Sequence, residues 1–233
     1  MPKLLQDLKS LRSSLILVPG MYYLMLIWSL LAADPENPRT VYYYNEMAFL
    51  PLLVLLTVLF FQRELGGSVM EIVATLPLSF AAMLIRKIAL VLASAIILHI
   101  GWVAIYMQKF TKLETDLYSF PAKRLQWMEA SWPQLLLQAL PSYLLIIAFV
   151  VLLTVMTKKL YAGVAAGMTL WLLEVLSSGK ALGRFVLLTK DIPKEIPFLQ
   201  NRLLLAAAAL ILLLLAIWSA NRRDRWIVHD DGE

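Results

Sequence analysis

The residues of this chain best placed to do work lie between Gln62 and Lys87, in the stretch QRELGGSVMEIVATLPLSFAAMLIRK. Ser68 is followed three residues later by Glu71. At that spacing the serine oxygen takes an orphan backbone N–H at a helix start, and the glutamate side chain reaches back to the serine N–H. Gly66 and Gly67 allow a sharp turn just before it. Val69, Ile72, Val73 and Leu76 fall on one apolar stripe, while Ser68, Glu71 and Thr75 share another face. Pro77 ends the helix, because the residue before a proline is pushed out of helical geometry, and Ser79 is placed to cap the next one. The pattern predicts a helix over 68–76, apolar toward lipid or a helix bundle and polar toward water. Its chemistry is mechanical: it offers a surface on which a soluble partner pushes. A plain solvated connector needs neither the capping box, nor the glycine pair, nor the stripe.

Covalent chemistry has little support elsewhere. The chain has no cysteine, which excludes disulfides, thiolate metal sites and cysteine nucleophiles. It carries no H-E-x-x-H, no G-x-S-x-G and no paired intramembrane aspartates, so no convergent catalytic set is visible. A phosphate-cradling G-x-x-x-x-G-K-[ST] loop is absent as well. His99 stands alone in an apolar run with no second ligand at metal spacing, and reads as a packing or hydrogen-bonded histidine. No catalytic or metal-binding residue is assigned.

Glu174 is the notable acid within an apolar run. It lies roughly 21 Å along a helix from Leu160 at 1.5 Å per residue. One reading makes it a substrate-pathway or gating residue; the plainer one makes it an interfacial acid snorkelling outward beside Ser177 and Ser178.

The elements that must position these residues are set by composition. Of 233 residues 61% are hydrophobic and only 16% charged, against about 25% charged in soluble domains, and the mean hydropathy is +0.74. This is the composition of a membrane protein, and the net charge of +5 brings no soluble basic face for nucleic acid. Six runs reach membrane length: 15–33, 45–62, 80–107, 135–156, 160–176 and 203–220. Lys3, Lys9 and Arg12 precede the first run, which is too long for a signal-peptide core and ends poorly for cleavage, so it reads as a retained span. Gly163 and Gly167 give the fifth run a small-xxx-small face suited to close helix packing.

Six spans put both termini on one side. The turn Thr157–Leu160 is half lysine and the tail Asn221–Arg225 mostly arginine, whereas the longer loops mix signs. The positive-inside rule then gives N-in, C-in. The expected fold is therefore an all-α polytopic membrane protein, a single transmembrane domain over 1–233. Tyr42, Tyr43 and Tyr44 read as an aromatic belt at the second span. Gln108–Pro133, with Leu125, Trp127, Met128 and Trp132, reads equally as a short interfacial helix or a solvated loop. Ser177–Asn201 either dips back into the membrane or crosses its surface.

Glu64, Gly67-Ser68, Glu71, Leu76-Pro77, Ser79 and Lys87 resemble the segment after the second span in ABC-2 type permeases. The specific resemblance covers about 25 residues; the six-span plan extends it weakly to the whole chain. It implies the membrane subunit of a bacterial ATP-binding cassette exporter in the plasma membrane. Helix 68–76 would be its coupling helix, with Glu64, Gly66, Gly67, Ser68, Glu71, Thr75 and Pro77 facing a separate ATPase subunit that holds the ATP and magnesium. The chain itself would bind no cofactor and catalyse nothing. A second permease copy, or a related one, would complete the pathway for a lipophilic or peptide-like substrate. The resemblance also implies helices dipping inward between the last two spans, in Ser177–Asn201, and an interfacial helix over Lys3–Ser13. A stand-alone ion-coupled transporter or channel is the alternative.

Overall fold

The computed structural model describes residues 13–34, 40–65, 79–119, 124–193, 195–222 and 226, with only the backbone of Glu64, Leu65 and Arg124. The protein is mostly helical. Among the described residues, six helices are long and apolar enough to cross a membrane. Helix α1 spans Leu17–Leu31 after a 3-10 turn at Ser14–Ile16. A π-helical turn at Tyr43–Met47 leads into α2, Phe49–Leu65. Helix α3 runs Phe80–Phe110, α4 Trp132–Thr157, α5 Leu160–Ser177 and α6 Phe198–Asn221.

Local signals account for several helix ends. The Ser79 side chain accepts from the Ala82 N–H at 3.3 Å and starts α3 as expected. Gln134 reaches back to the Ser131 N–H at 2.9 Å, with Pro133 in the first turn of α4. Helix α5 stops where Ser178 and Gly179 turn left-handed, φ 50° and 78°, letting the Gly179 N–H close on the Glu174 carbonyl at 3.1 Å.

Helix α2 is the centre of the bundle. The span Tyr43–Arg63 is 83% buried, against 17% for Ser14–Leu31, so α1 lies at the periphery. Helices α4 and α6 pack extensively, and α2 touches α3, α4 and α5. Around the start of α2, Tyr44 stacks on Trp102 and Phe49 on Tyr143, while His99 meets Phe49 and Trp102 edge-on. His99 is thus a packed core residue, as its isolation in the sequence suggested.

The glycines of α5 make a tight seam. A Cβ on Gly163 would stand 3.1 Å from the Val150 carbonyl and collide with Thr154 Oγ1. On Gly167 it would come within 2.6 Å of Val150 Cγ2 and 2.8 Å of Val54 Cγ2. The small residues let α5 press against both α4 and α2.

The expectation of a wholly helical protein needs correction between α3 and α4. Strands β1, Glu114–Ser119, and β2, Arg124–Glu129, form an antiparallel hairpin in which Asp116 faces Trp127 and Leu117 faces Gln126. Neither the interfacial helix nor the solvated loop describes it. The reason is a period of two: Leu113, Thr115 and Leu117 are buried while Glu114 and Asp116 are exposed. Gln138 of α4 ties the hairpin down, accepting from the Tyr118 N–H at 3.3 Å and donating to the Asp116 carbonyl at 3.1 Å. Tyr118 also stacks on Phe198 at the start of α6.

Several spans exceed their expected limits. Helix α6 begins five residues before 203 and takes in Asn201 and Arg202, both buried. Hydropathy cuts the run at Arg202, whereas in the fold that charge is met by partners.

Candidate functional site

The site begins with the segment between α5 and α6. After Gly183 the chain turns inward, and Val186, Leu187 and Leu188 are essentially fully buried before a 3-10 turn at Thr189–Asp191 leads it out. An irregular backbone inside a bundle leaves N–H and C=O groups that must find partners. Four spans supply them.

Glu174, near the end of α5, accepts from the N–H groups of Leu187 and Leu188 at 2.7 and 3.1 Å. Glu46, at the start of the α2 span, accepts from the Thr189 N–H at 2.6 Å and from its hydroxyl. Asn201 donates to the carbonyls of Arg184 and Val186 at 3.0 and 3.1 Å. Arg202 donates through Nη1 to the Leu187 carbonyl at 3.1 Å and to Ser142 Oγ at 2.5 Å, and through Nη2 to the Thr189 hydroxyl. The Ser142 hydroxyl in turn donates a hydrogen bond to the Leu187 carbonyl at 2.6 Å.

The charges are held as closely as the backbone. Arg202 Nη2 stands 3.9 Å from Glu46 Oε1, both side chains being almost wholly buried. Two carboxyls and one guanidinium therefore share the end of the bundle, with Glu174 Oε2 and Arg202 Nε lacking hydrogen-bond partners among the described residues. Breaking such a pair costs far more than a surface pair would, because it strands a charge away from water.

Glu174 does not snorkel outward beside Ser177 and Ser178. It is fully buried, because the returning segment covers it and supplies donors that water would otherwise give. Glu46, at the start of the α2 span, is buried too. Sequence reasoning missed Glu46 and Arg202. Each lies at the edge of an apolar run, Glu46 as the second residue of 45–62, one past Asn45, and Arg202 directly before Leu203. Counting apolar residues trims Arg202 away and gives Glu46, at the edge of its run, no special weight.

A cavity of about 150 Å³ opens beside this cluster, between the start of the α2 span, the first turns of α4 and the hairpin. Asn45 and Glu46 line it from one side, Thr115, Asp116 and Trp127 from the other. At its edge the Tyr42 hydroxyl is held above the usual tyrosine range, first by burial and then by the carboxylates of Asp191, Glu46 and Glu174. Burial likewise raises the Asp191 carboxyl, partly offset by Lys190.

The opposite end of the bundle is plainer. Ser13 donates to Gln62 Oε1 at 3.0 Å, the Lys158 ammonium lies over the Trp226 ring, and Arg222 stacks on Trp218. The coupling helix expected over 68–76, with Gly66, Gly67, Ser68, Glu71, Thr75 and Pro77, lies outside the described residues, as does the Glu64 side chain. Lys87, on the first turns of α3, is fully buried and donates to the Phe60 carbonyl of α2 at 2.6 Å. Among the described residues, no group of three His, Asp or Glu side chains is placed to hold a metal ion.

No family model, curated protein or solved structure matches this chain.

Proposed function

We propose that the chain is the membrane permease subunit of an ATP-binding cassette exporter, moving a lipophilic or peptide-like substrate outward on ATP hydrolysed by a separate ATPase subunit. The observation that carries this reading is the stretch Gln62–Lys87, where a capping box, a glycine pair and a proline stop interrupt two membrane-length helices. Six apolar helices support it. So does the segment between α5 and α6, which folds back into the bundle at the position where the resembling permeases carry inward-dipping helices.

In this reading both termini face the cytoplasm of a bacterial cell, and the charged cluster sits at the outer end. The coupling helix, with Glu64, Gly66, Gly67, Ser68, Glu71, Thr75 and Pro77, rests on the ATPase, which holds ATP and magnesium. A second copy or a related permease frames the pathway. ATP closes the ATPases, the coupling helix moves with them, and the bundle exchanges inward-open for outward-open states. Nucleotide drives this only by interacting differently with the two states. Glu174 then acts as a latch on the segment 178–197 at the outer gate.

The test is purification from native membranes in mild detergent. An ATPase co-elutes with the wild-type chain, and Glu71→Ala leaves the complex intact while ATP hydrolysis no longer drives transport. A chain that retains no ATPase under conditions preserving other membrane complexes defeats the proposal.

One observation favours a second reading. Glu46, Glu174 and Arg202 are ionisable groups buried within spans, which in membrane proteins mark ion and proton paths. A stand-alone ion-coupled transporter or channel would move substrate in proteoliposomes containing this chain alone under an ion gradient; the exporter subunit would not.

A further inference from the structure

The cavity between the start of the α2 span and the hairpin is independent of any coupling to an ATPase. Its surface is rich in acceptors. Asn45 is 2% exposed, lines the cavity, and has its Oδ1 without a hydrogen-bond partner. The Glu46 carboxylate and the Thr189 hydroxyl lie beside it, and the exposed Asp116 carboxylate stands at the mouth. A buried carbonyl oxygen left without a donor is costly, and it asks for an N–H or O–H group brought from outside.

The walls select among such groups. Tyr42 and Trp127 add aromatic rings to the lining, and the face of such a ring attracts an ammonium ion. The protein already uses one of them this way: the ammonium of Lys190, an exposed side chain, lies 5.8 Å from the centre of the Tyr42 ring. Lys190 is the cation among the lining residues, against the carboxylates of Glu46 and Asp116. Glu46 is already met by Arg202, but the carboxylates of Asp191 and Glu174 also act on Tyr42, so acids outnumber cations around the cavity, an anion is disfavoured, and the Asp116 carboxylate is the one left for a cation. A volume of about 150 Å³ matches that of engineered cavities that admit a benzene-sized guest, enough for a short amine and too little for a large one.

We propose that this cavity is a binding site for a small primary ammonium group, with Asn45, Glu46 and Asp116 as its acceptors, Tyr42 and Trp127 as its walls, and Lys190 as a resident cation that gives way to it. The cavity lies where the ends of membrane-length helices meet the hairpin. The amine has two possible sources, a free molecule such as ethanolamine or the headgroup of an aminophospholipid.

The probe is ethanolamine, titrated calorimetrically into the full chain in nanodiscs of phosphatidylglycerol, a lipid without an amine, with protein-free discs as blank. Saturable binding is expected, with no response to ethylene glycol. Asp116→Asn, at an exposed position, weakens binding about tenfold; Trp127→Ala, also exposed, weakens it severalfold. Lys190→Gln tightens it severalfold by removing the competing ammonium. Repeating the titration in discs containing phosphatidylethanolamine separates the sources. A severalfold loss of apparent affinity identifies the headgroup as occupant, and unchanged affinity identifies the free amine. Absence of saturable binding in phosphatidylglycerol discs overturns the proposal, as does binding that neither Asp116→Asn nor Lys190→Gln alters.

Discussion

Two parts of the bundle are held together in opposite ways. Along α5, Gly163 and Gly167 meet Val150, Thr154 and Val54 by shape alone, with no room for a methyl group. At the end of the same helix, Glu174 joins Glu46, Ser142, Thr189 and Arg202 in a network of charge and hydrogen bonds around an irregular backbone. The seam fixes a distance between helices. The network fixes the backbone of a segment whose apolar side chains, Val186, Leu187 and Leu188, are buried in the bundle; without those donors and acceptors its N–H and C=O groups would be stranded away from water. A packed seam has one arrangement. A polar network has a second one wherever water or another partner can satisfy its members, so a second arrangement is open to the charged cluster and not to the seam.

The largest test of that contrast is removal of the buried cation. Arg202→Met leaves the Glu46 carboxylate without its guanidinium, a loss of about 3–5 kcal/mol by the behaviour of broken buried pairs. Adding Glu46→Gln should recover a large part, since the stranded charge is gone. Unfolding monitored in detergent for the wild type, both single variants and the double variant gives the coupling directly. Single losses that merely add would mean that Glu46 and Arg202 are neighbours without being partners.

The seam should respond to volume and to nothing else. Gly167→Leu forces a side chain into the space of Val150 and Val54, at a cost of about 1–3 kcal/mol for overpacking. Salt and pH should leave this cost unchanged. Compensation by Val54→Ala, measured in the same unfolding assay, would sharpen the assignment of the contact. A tolerated Gly167→Leu would show that α5 stands farther from α2 than the fold requires.

The two regions also differ in how far the chain announces them. The seam was legible, because its two glycines lie four residues apart on one helix. The six helices were legible for the same reason: a run of apolar residues is a local fact, and the Ser79 cap is another. The hairpin is masked because Leu125, Trp127 and Met128 also suit a helical spacing, while the alternation at Leu113, Thr115 and Leu117 carries the actual period. The cluster could not be assembled beforehand. Its members sit at 46, 142, 174, 189 and 202, and only folding brings Arg202 to Glu46. Of these, Glu174 alone stands out, because it is an acid toward the far end of an apolar run, whereas Ser142 is a small hydroxyl that any membrane helix tolerates.

Glu174 gives the finest test, because its contribution is local. Its Oε1 takes two backbone N–H groups, those of Leu187 and Leu188. Glu174→Gln keeps the length and an acceptor oxygen but removes the charge that strengthens both bonds, so the global loss should be about 1 kcal/mol. The sharper readout is hydrogen exchange. If Glu174 is what pins the returning segment, the amides of 187 and 188 exchange several-fold faster in the variant, while those of α2 and α4 keep their rates. The Gly167→Leu variant should do the reverse, loosening α5 against its neighbours and leaving the ratio between segment and bundle as it was. Should Glu174→Gln accelerate the whole bundle equally, the acid would be one more brick in a single cooperative structure. Acceleration confined to residues 186–189 would make the segment a separately opening unit, and the carboxylate of Glu174 the group that sets how often it opens.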